Sequence, residues 1–83
     1  MLSINRETIQ KEVKEIISQR LHVSVDKIRE DSKLREDLGM DSFGAIDVAF
    51  ALEDKYKKEI PNEDLENIET VDNIINLIIK NLS

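Results

Sequence analysis

The chain has 83 residues, 40% of them hydrophobic, with no cysteine and with two phenylalanines and one tyrosine as its aromatics. That length makes one small domain, residues 1–83, which buries about 60% of its unfolded surface, so its core has to be mostly aliphatic. Twelve basic against eighteen acidic residues give a net charge of -6, which opposes nucleic-acid binding and favours a basic protein partner, while the lack of cysteine excludes disulfides, thiolate metal sites and a nucleophilic thiol. No apolar run approaches the roughly 20 residues that span a bilayer, and the amino terminus lacks a basic-then-apolar signal pattern. A cytoplasmic monomer without membrane insertion is expected.

In chain order, Met1 to Asn5 is a lead-in, with Ser3 or Asn5 available as a helix cap. Ile9, Val13, Ile16, Ile17 and Leu21 recur at three- and four-residue intervals among Glu, Lys, Gln and Arg, the pattern of an amphipathic helix. The one histidine, His22, is expected as a C-terminal cap or loop residue. The long connection from there to Asp41 is studded with Val23, Val25, Ile28, Leu34 and Leu38, side chains able to pin it to the core. Ser24 can start a single capped turn within it, and the acids Glu30, Asp31, Glu36 and Asp37 are expected to face water. Those acids do not follow the spacing of a calcium-binding loop, and no metal site is expected.

Gly39 breaks the preceding segment, Asp41 is a good N-cap, and helical periodicity then runs to Tyr56, which puts Ser42 on the first turn of a helix and open to solvent. First-turn N–H groups and the positive end of the helix dipole favour a bound or attached phosphate there. On a wheel of about 100° per residue, Ala45, Val48, Ala49, Leu52 and Tyr56 form a stripe toward the core. Phe43, Ile46 and Phe50 form a second stripe, flanked by Asp47, Glu53 and Asp54. A small domain has use for two apolar faces on one helix when one of them meets a partner. The alternative is that Phe43 or Phe50 folds inward to enlarge the core.

Lys55, Lys57 and Lys58 suit the negative end of this helix. Pro61 holds Ile60 extended, Asn62 can cap a short helix of Glu63 to Ile68, and Thr70 can cap the last one. There Val71, Ile74, Ile75, Ile78, Ile79 and Leu82 form one apolar stripe opposed by Asp72, Asn73, Asn76, Lys80 and Asn81. The expected fold is all-α: an antiparallel four-helix bundle of three longer helices and one short helix, with a long connection between helices one and two.

The run Asp37-Leu38-Gly39-Met40-Asp41-Ser42-Phe43 resembles the attachment motif of the acyl carrier protein family, typically Asp-Leu-Gly-x-Asp-Ser-Leu. The resemblance extends from about Val13 to about Ile79, through Ala51-Leu52-Glu53-Asp54 and Glu59-Ile60-Pro61. It implies that Ser42, with Asp41 as its motif neighbour, carries a 4′-phosphopantetheine arm donated by coenzyme A through a phosphopantetheinyl transferase. Acyl groups would ride on that arm as thioesters and be presented to acyl-transferring and acyl-modifying enzymes. On the wheel, Phe43, Ile46, Asp47, Phe50, Glu53 and Asp54 share one side of the helix beside Ser42, so basic docking patches on those enzymes are expected to meet that face. The acidic face and Asp41-Ser42 are closer to stand-alone fatty-acid-type carriers than to peptidyl carriers. His22, Phe43, Gly44 and Lys58 depart from the family pattern. Lys58 stands where an aliphatic residue usually lines the acyl cavity, and Leu65 and Ile74 stand at positions that are often small, so a smaller or more polar-mouthed cavity is expected.

No catalytic constellation is present. A nucleophile elbow needs glycine two residues before the serine, where this chain has Met40, and the single histidine has no evident reason to approach Ser42. Three non-catalytic readings remain: a fatty-acid carrier, a carrier dedicated to a polyketide-like or peptide-synthetase-like pathway, and an unmodified helical interaction module.

Overall fold

The computed structural model describes residues 5–82. The alternative cap Ser3 lies outside them. Helix α1 spans Arg6–Leu21 and starts at Asn5, whose side-chain oxygen accepts from the N–H groups of Glu7 at 2.9 Å and Thr8 at 3.4 Å. It buries Ile9, Val13, Ile16 and Ile17, and it stops where His22 turns left-handed, φ 58°, with its N–H returned to the Ser18 carbonyl. A left-handed conformation disfavours any residue with a Cβ. His22→Gly is therefore expected to stabilise the domain by about 1 kcal/mol, read as a thermal melt shifted upward by several degrees. An unchanged or lowered melting temperature would mean that the imidazole makes compensating contacts.

The connection is strapped to the start of the last helix by backbone hydrogen bonds. Leu34 N–H reaches the Glu69 carbonyl at 2.9 Å, Val71 N–H reaches Ser32 at 3.1 Å, and Asp72 N–H reaches Glu30 at 2.8 Å, around an isolated antiparallel bridge between Lys33 and Thr70. Ile28, Leu34 and Leu38 are buried as expected, whereas Val25 is 44% exposed. Val25 belongs to a single 3-10 turn, Val25–Lys27, which closes through the Ser24 carbonyl without a cap from its hydroxyl. Met40 and Ser32 are buried here as well. The Ser32 hydroxyl is occupied by Arg29 N–H at 2.9 Å, which is what lets a polar side chain sit inside.

Two of the acids expected to face water also serve the structure, Asp37 while staying exposed as expected. Asp37 accepts from Lys33 N–H at 2.8 Å, and the half-buried Glu30 binds the Lys14 ammonium at 3.1 Å. A backbone hydrogen bond and then Lys14 hold the Glu30 carboxyl below its ordinary 4.5. A carboxyl depressed on folding contributes stability above its unfolded value and loses it as pH falls through the folded one. The melting-temperature gap between the parent and Glu30→Gln should accordingly be open at neutral pH and close in acid below 4.5. A gap that does not change with pH would remove the charge from the account.

Helix α2 spans Ser42–Tyr56 and buries Val48, Ala49 and Leu52, with Ala45 and Tyr56 half-buried. Helix α3 is short, Asn62–Glu66. Asn62 is its first helical residue rather than its cap, Pro61 occupies the cap position without a side-chain bond, and the helix ends two residues before Ile68. Proline's fixed φ already presets the entry, so no side-chain cap is needed. Helix α4, Val71–Leu82, buries Val71, Ile74, Ile75 and Ile78. Thr70 and Asn73 cap it reciprocally: the Thr70 hydroxyl accepts from Asn73 N–H at 3.2 Å and the Asn73 amide oxygen from Thr70 N–H at 3.0 Å. Asn81, expected on the polar face, is half-buried, and its amide nitrogen has no hydrogen-bond partner among the described residues.

The expected all-α bundle of three longer helices and one short one is thus what the chain forms. Helix α1 packs against both α2 and α4, and Arg6 ties its start to Asp72 and, at 2.8 Å, to Asn76 of α4. Among the described residues, no helix is long and apolar enough to cross a membrane.

Candidate functional site

The site is the amino-terminal end and one face of α2. Gly39 adopts φ +72°, the left-handed conformation that glycine tolerates best. Buried Met40 then anchors the chain, with its N–H on the Leu34 carbonyl at 2.9 Å. Asp41 follows in extended conformation and its carboxylate accepts from Gly44 N–H at 2.7 Å, the cap expected of it. Ser42 is the first residue of the helix and is exposed. The N–H groups of Ser42 and Phe43 have no helical carbonyl one turn earlier to bind, so they and the helix dipole face outward beside the Ser42 hydroxyl. A phosphate ester on a hydroxyl in this position would meet N–H donors and solvent.

Gly44 has a packing reason to lack a side chain: a Cβ there would lie 3.0 Å from a Leu21 methyl. The end of α1 thereby reaches the start of α2, which places His22, the residue after Leu21, at the same end of the bundle as Ser42. No hydrogen bond joins the two among the described residues.

The two stripes of α2 separate as the wheel implies. Phe43 is 83% exposed, Phe50 65% and Ile46 49%, so neither phenylalanine folds inward. The acids around them differ in kind. Asp47 lies 3.6 Å from Arg20 of α1, a cation the sequence reading overlooked because its position depends on how α1 and α2 align. Asp54 lies 3.6 Å from Lys57, both more than three-quarters exposed, where screening leaves little pairing energy. Glu53 is half-buried, and its carboxylate accepts from Ile60 N–H at 2.7 Å, so it fastens the loop that leads to α3 as well as flanking the stripe.

Beneath α2, Met40, Ala45, Val48, Ala49, Leu52, Leu65, Ile68 and Ile74 line an apolar cavity of about 10 Å³, room for about one water molecule. A small cavity was expected, and Leu65 and Ile74 do line it. Lys58 does not. It sits outside on the loop after α2, with Lys57, Glu59 and Pro61. Tyr56 closes the far end of α2 by donating its hydroxyl to Glu12 at 2.9 Å. Burial, and then Glu12, hold that phenol well above its ordinary range. Among the described residues, no three His, Asp or Glu side chains gather in a metal-binding group.

A family profile described as a phosphopantetheine attachment site matches residues 11–78, most of the chain. The chain belongs to this family. Among acyl carrier proteins, that of Sulfurovum sp. is 45% identical over 67 residues, 81% of this chain and 89% of the relative. That of Wolinella succinogenes is 39% identical over 70 residues, 84% and 92% of the two chains, and that of Campylobacter fetus is 36% identical over 67 residues, 81% and 87%. As an acyl carrier protein, the chain takes covalently attached 4′-phosphopantetheine as its prosthetic group and acts as a carrier.

Proposed function

We propose that this single-domain protein is a monomeric, cytoplasmic, non-catalytic carrier of the fatty-acid type. Its 4′-phosphopantetheine arm is attached to Ser42, and its partners, the phosphopantetheinyl transferase and acyl-handling enzymes with basic docking patches, read the α2 face beside it. The observation that carries the reading is the exposed hydroxyl of Ser42 at the start of α2, directly beside an apolar stripe that the fold leaves uncovered. Asp41 shapes the site by capping the helix. Phe43, Ile46 and Phe50 supply surface to desolvate, and Asp47, Glu53 and Asp54 supply the charge that steers a basic enzyme. The arm supplies a terminal thiol, which this cysteine-free chain lacks, and that thiol holds the acyl group as a thioester. With so small a cavity beneath α2, long acyl chains are poorly sheltered in this closed form.

Transfer of malonyl groups onto the holo-protein by a fatty-acid-type acyltransferase tests the reading. Efficient loading is expected, and Asp47→Lys should slow it mainly through association while flattening its salt dependence. Loading by a peptide-synthetase activating domain in preference to the fatty-acid acyltransferase would overturn the assignment of pathway.

A further inference from the structure

A groove of about 580 Å³ runs between α1 and α2, on the side of α2 that carries Phe50. Its geometry follows from two cross-helix ties. Arg20 of α1 meets Asp47 of α2, and Glu12 of α1 meets Lys55 at 3.3 Å and Tyr56. As α1 runs forward from Glu12 to Arg20, α2 runs back from Lys55 to Asp47, so the helices are antiparallel. The two ties stand about 12 Å apart along the groove at 1.5 Å per residue. Ile16 and Ala51 lie between them, and Phe50 stands on the rim.

The charges inside this frame do not balance. Four acids line the groove, Glu12, Glu15, Asp47 and Asp54, against two bases, Arg20 and Lys55, and both bases are already committed to the end ties. Glu15 is exposed and has no hydrogen-bond or ion-pair partner among the described residues. Asp54 has only the solvent-screened Lys57. An aromatic side chain thus stands 65% exposed beside two carboxylates with no cation of their own in the groove.

We propose that this groove is a second wall of the docking site: a basic amphipathic segment of a partner enzyme lies along it, covers Phe50 with its apolar side and places a lysine or arginine between Glu15 of α1 and Asp54 of α2. The proposal rests on the α2 face being where partners dock, and it adds α1 to the surface they read. Charge complementarity selects the occupant, since an acidic or neutral segment would leave both carboxylates desolvated and unpaired.

The test is the kcat/KM for phosphopantetheinylation of the full chain by the transferase, for Glu15→Lys, Glu7→Lys and Phe50→Ala, each first shown to melt like the parent. Glu7 is exposed in the first turn of the same helix, about 12 Å from Glu15, so it carries the same change of net charge away from the groove. Glu15→Lys is expected to lower kcat/KM about fivefold, equivalent to about 1 kcal/mol, with Glu7→Lys close to the parent and Phe50→Ala impaired. Glu15→Lys matching Glu7→Lys while Phe50→Ala remains impaired overturns the groove and leaves the α2 face standing. If all three match the parent, both readings fall. Sedimentation in which the parent self-associates and Glu15→Lys does not would place a second copy of the chain in the groove and overturn the basic-partner proposal.

Discussion

Ser42→Ala is expected to leave the domain folded and to abolish its phosphopantetheinylation. The hydroxyl is exposed and makes no hydrogen bond within the described residues. The cap that starts α2 belongs to Asp41 and Gly44, and alanine favours helix. Stability should therefore change by no more than about 0.5 kcal/mol, as for other surface substitutions away from special features. The loss of modification should nevertheless be complete, because the other hydroxyls stand in different settings. Among the described residues, Ser18 donates to the Val23 carbonyl, Ser32 is buried, Thr70 caps α4 and Tyr56 donates to Glu12, while the exposed Thr8 and Ser24 lie outside the Asp-Ser motif. Circular dichroism and intact mass on the same preparation check both halves. An unfolded variant, or one still modified at another residue, would refute the expectation.

Two positions along the same helix should respond in opposite ways. Leu52 is 1% exposed and lines the cavity between α2, α3 and α4, so Leu52→Ala is expected to cost about 2–5 kcal/mol. That is a large share of the roughly 4–12 kcal/mol expected for a domain of this length, enough to unfold it under mild heating. Phe50, 65% exposed, should lose no more than about 0.5 kcal/mol of folding stability on truncation to alanine. Its loss should appear instead as faster dissociation from a docking enzyme, about 1–2 kcal/mol for a buried interfacial anchor. Thermal melts of the two variants separate core from interface. A Phe50→Ala protein that melts like Leu52→Ala would mean that the second stripe is core.

What was legible in the sequence was local. The periods of α1, α2 and α4, the caps at Asp41 and Thr70, and the division of α2 into an inward and an outward stripe follow from spacing and side-chain chemistry within a few residues, and there the structure agrees. What was not legible depends on alignment between distant segments. The Lys33–Thr70 bridge joins residues far apart in the chain, and nothing in Glu30 itself announces that Lys14 will reach it. Glu53 looks like any flanking acid until the loop after α2 brings Ile60 N–H to it. The approach of Leu21 to Gly44, with His22 alongside, and the pairing of Arg20 with Asp47 require the register of α1 on α2, which no helical wheel supplies. Lys58 shows the reverse error: its position in the family pattern suggested a cavity mouth, but the loop carries it outside.

The central claim is that one hydroxyl, Ser42, carries the arm. Fragment mapping of the parent protein after incubation with coenzyme A, Mg²⁺ and a phosphopantetheinyl transferase tests it most directly. The account predicts a single phosphopantetheinyl group, located on Ser42, whose thiol then accepts an acyl group. A protein that stays at its unmodified mass under conditions that fully convert another acyl carrier protein, or a group mapped to any other residue, would contradict it.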